Sequence, residues 1–325
     1  MTSTVSWRPV KGIITPLATP LTQSGDSIDC LGTRRLMEHV ISGGVSGVFL
    51  LGSTGEAPSL TPHLRREFVT LCCSIAREIV QSKEGSDEIN RLKNLRILVG
   101  VTDTCPNESI AMARHAAACG AHAVVLAPPF YFPISQPELI HYIKRVVEQL
   151  SLPVFLYNMP KLTKITFEIE TIRELVKHFG DNGRIVGIKD SSFDLTYMSE
   201  LCQLRKEFCP SWGIFTGAEH QVAQVVRLGA DGGVVGGSNM FPEAFVSYYE
   251  GALSNDKDME NEAQQKIEAL KAIYDMANGR FVQATKTALS AMDICEESFA
   301  LPLLSFNDAE REFVKKVVAE IKLMH

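Results

Sequence analysis

The sequence lacks several features that would assign the protein to a membrane or to nucleic acid. No uninterrupted apolar segment approaches the roughly 20 residues that span a bilayer. The first residues, MTSTVSWRPVKG, contain no apolar core of a signal peptide. No Lys/Arg-rich run stands out and the formal net charge is −6, which argues against nucleic acid or an anionic membrane as the main partner. These absences predict a cytoplasmic protein.

The cysteines and histidines are scattered rather than grouped. The 8 cysteines include no C-x-x-C pair, and the 8 histidines include no H-E-x-x-H spacing. Cys72 and Cys73 are adjacent within a helical pattern, LRREFVTLCCSIAREIV. In a cytosolic chain, scattered cysteines of this kind are typically small buried thiols. We therefore expect no metal site.

Short apolar runs alternate with longer amphipathic segments along most of the 325 residues. The runs are typical of strands buried on both faces, and the segments between them have the helical period. The eight strand-like runs are, in order, GIITPL, GVFLLG, RILVGV, AVVLAP, VFLYN, IVGIKD, GIFTG and GGVVGG. Eight strand–helix units predict an α/β fold, a (β/α)8 TIM barrel of parallel strands with helices outside.

The remainder of the chain, from about residue 255, is purely helical in pattern. We assign residues 1–254 to the catalytic barrel and residues 255–325 to a C-terminal helical extension packed on it. The charged stretch 81–94, QSKEGSDEINRLKN, lies between the second predicted helix and the third strand. That connection belongs to the barrel face opposite the active site. We expect it to be a solvated insertion without a catalytic role.

A lysine closes the apolar run RIVGIKDSS, residues 184–192. One interpretation ends the strand at Gly187 and sends Lys189 into solvent. The other keeps the amine in a dry pocket, where desolvation favours its neutral, nucleophilic form. A neutral amine attacks a ketone and forms a Schiff base, an electron sink for making or breaking the adjacent C–C bond.

Other reactive residues follow the predicted strands, where barrel enzymes hold their active sites. GSTGEAPSL after the second strand gives Ser53 and Thr54, whose backbone N–H groups and hydroxyls suit a carboxylate or phosphate. Tyr131 follows the fourth strand and Tyr157 ends the fifth. Each tyrosine alone fits a packing role better than a catalytic one. Beside Lys189, however, a phenol shuttles a proton when a neighbouring group relays it.

Five motifs occur in the order known from one superfamily, namely GSTGEA, PPFYFP, YNMP, GIKDSS and GADGGVVGGSN. On these motifs the chain resembles the dihydrodipicolinate synthase / N-acetylneuraminate lyase superfamily of class I, pyruvate-type aldolases. The resemblance implies that Lys189 forms an imine with pyruvate or another 2-oxo acid and that Tyr157 shuttles the proton beside it. It also implies that the family needs no metal or organic cofactor.

The remaining catalytic roles follow from the same resemblance. Ser53 and Thr54 hold the carboxylate of the 2-oxo acid through backbone N–H groups and hydroxyls. Tyr131 completes a proton relay with Thr54 and Tyr157, and in the family this tyrosine reaches in from a neighbouring subunit. The resemblance therefore implies a homo-oligomer, commonly a tetramer built as a dimer of dimers.

The outer pocket departs from the synthases in this superfamily. Synthases resembling this chain carry an arginine two residues after the proline of YNxP, where its guanidinium pairs with the carboxylate of the aldehyde. YNMPKLT places Leu162 there, and we expect the preceding Lys161 to point away from the pocket. Leu162, GSTGEA and PFYFPIS look more like N-acetylneuraminate lyases.

The match to the lyases is also incomplete. Where the lyases have an Asp-Glu pair for the hydroxyl tail of the sugar, TGAEH offers Glu219 and His220. The serine that the lyases use after the eighth strand falls at Gly236, and Ser191 keeps a hydroxyl near the substrate tail. This set of residues favours a polyhydroxylated or small aldehyde as the second reactant.

The leading functional expectation is retro-aldol cleavage of N-acetylneuraminate or another 2-keto-3-deoxy sugar acid. The alternative is a dihydrodipicolinate synthase that condenses pyruvate with aspartate semialdehyde, or a related 2-keto acid aldolase or dehydratase. GADGGVVGGS at the eighth strand leaves open a phosphate-binding barrel enzyme. A non-catalytic sensor of 2-oxo acids is a further alternative. The aldehyde, the direction of the reaction and the number of subunits stay open.

Overall fold

The computed structural model describes residues 9–86, 88–179 and 183–324. Most of the N-terminal stretch considered above for a signal peptide lies outside these residues, as does Asp87 within the charged stretch 81–94.

Eight parallel strands form the centre of the fold. They are β1 (Gly12–Pro16), β2 (Gly47–Leu50), β3 (Arg96–Gly100), β4 (Ala123–Leu126), β5 (Val154–Asn158), β6 (Ile185–Asp190), β7 (Gly213–Thr216) and β8 (Gly232–Val234). Each strand pairs with the next in sequence and β8 pairs with β1, so the sheet is a closed barrel. The predicted (β/α)8 fold is confirmed, and each strand lies within the apolar run that predicted it.

Helices alternate with the strands and continue after the last one. They are α1 (Cys30–Ser42), α2 (Pro62–Ser82), α3 (Ile89–Lys93), α4 (Pro106–Cys119), α5 (Gln136–Val147), α6 (Pro160–Thr163), α7 (Ile169–Phe179), α8 (Leu195–Phe208), α9 (Val222–Leu228), α10 (Pro242–Ser254), α11 (Lys257–Ala277), α12 (Phe281–Ala291) and α13 (Asp308–Leu323). Within the described ranges, none of them combines the length and apolar character needed to cross a membrane. The domain boundary between residues 254 and 255 stays a prediction.

Three local predictions need correction. EHQVAQVVRLGA reads as one helix, whereas residues 219–221 form a 3-10 turn before a shorter α9. The stretch 81–94 is not wholly solvated, because it contains α3, whose Leu92 is buried and whose Arg91 donates a 2.8 Å hydrogen bond to the last turn of α1. Cys72 and Cys73 are buried as expected, but Cys30 and Cys105 are exposed.

The barrel interior below the site is filled by large apolar side chains. They are at most 3% exposed and include Ile14, Phe49, Leu98, Phe155 and Phe215. Gly187 in β6 makes room for one of them, since a Cβ at Gly187 would lie 2.3 Å from the Phe155 ring. This packing fills the lower barrel and leaves room for a ligand at the carboxyl ends of the strands.

Candidate active site

A cavity of about 590 Å³ opens at the carboxyl ends of the strands. Its inner part is formed by residues at or just after the ends of β1, β2 and β5 to β8, and its outer wall by α11 and α12. Nine of the predicted site residues line it: Ser53, Thr54, Tyr157, Leu162, Lys189, Ser191, Glu219, His220 and Gly236. The structure therefore brings residues from distant parts of the sequence into one cavity.

Lys189 lies within β6 and is 7% exposed. The strand continues through Asp190, so the interpretation that sends Lys189 into solvent is wrong. Its Nζ lies 4.4 Å from the centroid of the Tyr157 ring and 5.3 Å from that of Phe49. In the described part of the chain Lys189 forms no ion pair, in contrast to the buried Lys286. The amine therefore lies against two aromatic rings at the cavity rather than against a carboxylate.

Tyr157 is held next to this amine by the sheet register. It pairs with Lys189 across β5 and β6, and paired residues on neighbouring strands point to the same side of the sheet. Its ring packs edge-to-face against Phe49, with 6.2 Å between the centroids. This arrangement is favourable for aromatic pairs. The phenol and the amine therefore share the inner end of the cavity.

The turn after β2 presents unused hydrogen-bond donors. The backbone N–H groups of Gly55 and Glu56 donate within the turn, to the carbonyl oxygens of Gly52 and Ser53. For the backbone N–H groups of Ser53 and Thr54, no acceptor is found among the described residues. Both residues line the cavity. Such a turn suits a carboxylate or phosphate group of a ligand.

A buried ion pair ties this turn to α12. Lys286 Nζ lies 2.7 Å from Glu56 Oε1, and both side chains are 0% exposed. The second carboxylate oxygen, Oε2, accepts a 2.9 Å hydrogen bond from the backbone N–H of Ala300. Glu56 itself has φ of 56°, in the left-handed region. The pair fixes the far end of the turn that carries Ser53 and Thr54.

A second network fixes the ends of β5 and β6. Asn158 Nδ2 donates a 2.8 Å hydrogen bond to Asp190 Oδ1, and Ser192 Oγ donates one of 2.8 Å to Oδ2. Burial raises the pKa of Asp190 above its usual value, although the hydrogen bonds from Asn158 and Ser192 act in the opposite direction. Because Asn158 and Asp190 directly follow Tyr157 and Lys189, the network holds these two side chains in register.

Ser191 and Gly217 pack tightly beside the lysine. Ser191 is 4% exposed, and its backbone N–H donates a 2.8 Å hydrogen bond to the Asn158 carbonyl oxygen. A Cβ on Gly217 would lie 2.1 Å from Ser191 Oγ and 3.4 Å from Lys189 Cε. The absence of a side chain at Gly217 therefore makes room for the Ser191 hydroxyl close to the amine.

Glu219 directs its carboxyl group toward a short 3-10 helix, residues 236–239. Its Oε1 accepts a 2.6 Å hydrogen bond from the backbone N–H of Gly237. Burial raises the pKa of Glu219 to about 7, although hydrogen bonds from the N–H groups of Gly237 and Gly236 and from the Tyr274 hydroxyl lower it. Tyr274 of α11 is close to the same carboxyl, and its own pKa is raised well above the usual value by burial and by the charge of Glu219. At neutral pH this cluster holds a neutral phenol and a carboxyl that is partly protonated.

The mouth of the cavity carries exposed side chains. Leu162 is 47% exposed, and His220 is also exposed. Lys161 lines the cavity as well, so the expectation that it points away is wrong. Lys161 and Leu162 both belong to the single turn of α6, which forms this part of the rim. The mouth therefore has a lysine beside the leucine.

Tyr131 is the one predicted site residue that does not line the cavity. It is 85% exposed and its φ is 89°, in the left-handed region. Its ring packs edge-to-face on Phe132, with 5.1 Å between the centroids. Within this chain the structure does not bring Tyr131 to Lys189.

Sequence reasoning missed the contribution of α11 and α12. Tyr274 lines the cavity and Lys286 pairs with Glu56. A signal for Lys286 is present, because it is the one charged residue in the run FVQATKTALS and a charge on a buried helix needs a partner. No comparable signal marks Tyr274, since its position depends on how α11 packs against the barrel.

The chain is similar to a known protein family and to several named or solved relatives. A model of the Dihydrodipicolinate synthetase family matches residues 9–321. The structure of a dihydrodipicolinate synthase from the commensal bacterium Bacteroides thetaiotaomicron is similar, with a TM-score of 0.86 and 38% identity over 97% of this chain and 100% of that chain. The probable 2-dehydro-3-deoxy-D-pentonate aldolase YjhH of Escherichia coli (strain K12) is 28% identical over 291 residues, 90% of each chain.

A third relative is the putative 2-dehydro-3-deoxy-D-gluconate aldolase YagE of Escherichia coli (strain K12). It is 28% identical over 96% of this chain and 97% of its own. A crystal structure of YagE in complex with pyruvate has a TM-score of 0.85, with 24% identity over 96% of this chain and 99% of that one.

The predictions of the superfamily and of a carbon–carbon lyase are confirmed by these comparisons. Nearness to N-acetylneuraminate lyases stays a prediction, because the relatives above are named as synthases and as aldolases of other sugar acids. The family model covers nearly the whole chain, from the first strand to the last helix. The chain belongs to the dihydrodipicolinate synthetase family.

Proposed function

We propose that the protein is a class I aldolase that forms an imine between Lys189 and the keto carbon of pyruvate or another 2-oxo acid. The observation that carries the proposal is the buried amine of Lys189, which has no carboxylate partner in the described chain and lies 4.4 Å from the Tyr157 ring centroid. Because no carboxylate among the described residues holds this amine, its nitrogen is free to meet a carbonyl carbon in the cavity. The neutral amine attacks the keto carbon, and loss of water gives the imine.

The turn after β2 is the proposed carboxylate site. Its support is the pair of N–H groups at Ser53 and Thr54, for which no acceptor is found among the described residues. A 2-oxo acid bound there directs its keto carbon across the cavity to Lys189, at the end of β6. The phenol of Tyr157 gives a proton to the hydroxyl that leaves as water when the imine forms, and it takes or returns the proton of the C4 hydroxyl as the C–C bond breaks or forms.

Tyr131 completes the relay from a neighbouring subunit in this proposal. Its exposed ring and its position outside the cavity are what a residue acting in a second copy requires. The proposal therefore includes a homo-oligomer, built as a dimer of dimers. It also includes a cytoplasmic location, which fractionation of the source cells tests.

The proposed substrate is a 2-keto-3-deoxy sugar acid, with N-acetylneuraminate as one candidate. Leu162 stands where a guanidinium would hold an aldehyde carboxylate, and Glu219, His220 and Ser191 line the cavity with groups that bind hydroxyls. The relatives named as pentonate and gluconate aldolases act, by their names, on acids of this class.

A second candidate is the synthase reaction, the condensation of pyruvate with aspartate semialdehyde. Two observations favour it. Lys161 lines the cavity beside Leu162, where an ammonium group attracts the carboxylate of that aldehyde. The Bacteroides thetaiotaomicron relative, 38% identical, is named a dihydrodipicolinate synthase.

The first experiment is borohydride trapping with pyruvate, followed by peptide mass mapping. We expect the reduced adduct on the peptide that holds Lys189. Lys286 provides a control within the same sample, because its ammonium is paired with Glu56 and we expect no adduct there. A folded protein without an adduct at Lys189 would refute the imine mechanism. An adduct without turnover of any aldehyde or sugar acid would favour the sensor.

Two variants test the catalytic assignments. Lys189→Arg keeps a positive charge but has no nucleophilic amine, so we expect a folded protein without adduct. Tyr157→Phe is expected to trap pyruvate and to lose most of its turnover, because the ring packing on Phe49 stays while the phenolic proton is lost. Cleavage rates for a panel of sugar acids, measured beside condensation rates with aspartate semialdehyde, distinguish the two candidate reactions.

A further inference from the structure

Phe193 lies at the mouth of the cavity in a backbone conformation that is unusual for an aromatic residue. Its φ is 66°, in the left-handed region that favours glycine, and its side chain is 48% exposed. It belongs to the loop between β6 and α8 and lines the cavity. A bulky residue in this region is strained, and it persists only where the surrounding contacts fix it. The chain therefore holds a phenylalanine at a point where glycine would be more favourable.

Hydrogen bonds on both sides of Phe193 fix its backbone. Ser192 Oγ, directly before it, donates a 2.8 Å hydrogen bond to Asp190 Oδ2. The Phe193 carbonyl oxygen accepts a 3.4 Å hydrogen bond from Gln221 Nε2. Because Asp190 directly follows Lys189, these contacts set the position of Phe193 relative to the amine.

The mouth of the cavity carries both apolar and charged side chains. Leu162 is 47% exposed and, like Phe193, lines the cavity. Met159 and Phe281 add two half-buried apolar side chains. The charged side chains at the mouth are exposed as well, namely Lys161, Glu268, Lys271 and Asp275. A ligand that extends from Lys189 to the mouth therefore meets apolar as well as charged surface.

Exposed apolar side chains at a cavity favour a ligand with an apolar face. Covering Phe193 and Leu162 removes their surface from water, which is favourable chiefly when the covering group is itself apolar. The alternative role for Phe193 is structural. It directly precedes Asp194, the N-cap of α8, and an apolar residue at this position often packs on the fourth helical residue, here Met198. Since Phe193 is 48% exposed, such a contact would still leave ring surface for a ligand.

We propose that Phe193 is a specificity-determining residue, whose ring packs on an apolar face of the part of the substrate that extends beyond the imine. An alkyl group offers such a face, and so do the carbon-bound hydrogens on one side of a sugar chain. The proposal rests on the proposed function, since it assumes that the 2-oxo acid end lies at Lys189. Pyruvate has only a methyl group beyond its keto carbon, so the ring acts on the choice of the longer substrate.

Borohydride trapping with two 2-oxo acids tests the proposal without depending on turnover. Pyruvate has no tail, whereas 2-oxooctanoate carries an alkyl tail without hydroxyls. The half-saturating concentration of each acid is measured from the adduct at Lys189. In Phe193→Asn we expect the value for 2-oxooctanoate to rise about fivefold relative to that for pyruvate, because an apolar contact is lost. Asparagine adopts the left-handed conformation readily, so this variant removes the ring and keeps the backbone.

Two further variants serve as controls. Phe193→Tyr keeps the ring, so the ratio between the two acids should stay within about twofold of the wild type. Phe313→Asn is the matched control, because Phe313 is also exposed, at 38%, but lies outside the cavity. The unfolding midpoint of Phe193→Asn should not fall, since asparagine relieves the strain. A lower midpoint with equal shifts for both acids would indicate the structural role at α8 and overturn the proposal.

The same measurement with 2-keto-3-deoxy-D-gluconate shows which kind of tail uses the ring. A shift for this acid supports contact with a sugar chain, and a shift for 2-oxooctanoate alone supports an alkyl-bearing substrate. Absence of a pyruvate adduct in the wild type refutes the imine mechanism. A pyruvate adduct with no shift for either longer acid in Phe193→Asn refutes the assignment of Phe193 alone. Failure of the wild type to trap either longer acid, when it traps pyruvate, also overturns that assignment.

Discussion

Lys286→Met removes one partner of the buried ion pair between α12 and the turn after β2. In the wild type the Glu56 carboxylate has two partners, Lys286 Nζ at 2.7 Å and the backbone N–H of Ala300 at 2.9 Å. Methionine keeps the length of the side chain but not its charge, so the carboxylate stays fully buried with one hydrogen bond. Breaking a buried pair from one side typically costs about 3–5 kcal/mol, a large part of the roughly 5–15 kcal/mol that stabilises a typical protein.

Loss of the ion pair should also weaken binding at the proposed pyruvate site. Glu56 ends the turn that carries Ser53 and Thr54, and its left-handed backbone is held by these contacts. We therefore expect the apparent dissociation constant for pyruvate to rise in Lys286→Met, measured by the concentration dependence of borohydride trapping. The free energy of unfolding is measured by urea denaturation at one protein concentration, because self-association contributes to apparent stability.

Two further variants make the reasoning refutable. Glu56→Gln with Lys286→Met removes both charges and keeps an acceptor for Ala300, so we expect it to lie within about 2 kcal/mol of the wild type. Lys144→Met breaks the pair with Glu174, which has the same 2.7 Å distance but is partly exposed, and should cost under about 1 kcal/mol. Two results would contradict the explanation by an uncompensated buried charge. One is a double variant as unstable as Lys286→Met alone, and the other is an equal loss of unfolding free energy in Lys286→Met and Lys144→Met.

Two other predictions concern Glu219 and Tyr131. The pKa of Glu219 is raised from 4.5 to about 7, so the native state holds a proton that the unfolded chain releases; the free energy of unfolding should fall as pH rises through this window and level off above it. The free energy of unfolding, measured by urea denaturation at several pH values between 4.5 and about 7, should depend less on pH in Glu219→Gln than in the wild type. The same pH dependence in both proteins would rule out this assignment. Tyr131→Ala should be inactive alone and regain activity in mixed oligomers with Lys189→Arg, because one site then has both residues; mixing without recovery would exclude action between subunits.

The sequence predicted the inner half of the cavity because strand ends are defined by short-range patterns. Strands buried on both faces read as apolar runs, so the end of each run located Tyr157 and Lys189 at the carboxyl ends. The turn with Ser53 and Thr54 followed directly from its glycines. These features depend on neighbours in sequence, and the structure reproduces them.

The outer half depends on packing between distant segments, which periodicity does not encode. Glu56 and Lys286 pair across 230 positions, and Tyr274 reaches the cavity only because of the way α11 lies against the barrel. The helical pattern predicted α11 and α12 but not the face that each turns to the cavity. Lys161 was misplaced for the same reason, since a short helix of one turn gives no period to read.

The outer wall of the cavity has a consequence for attempts to change the substrate. Because α11 and α12 supply that wall while strand ends supply the amine and the turn, an engineer can exchange the C-terminal helices for those of a relative and leave the reactive lysine untouched. In such a chimera the buried ion pair joins the exchanged helices to the barrel. The donor segment therefore needs a cationic side chain at the position of Lys286 to pair with Glu56. A donor helix without that cation is expected to lose about 3–5 kcal/mol of stability, as Lys286→Met does, whatever its fit to the new substrate.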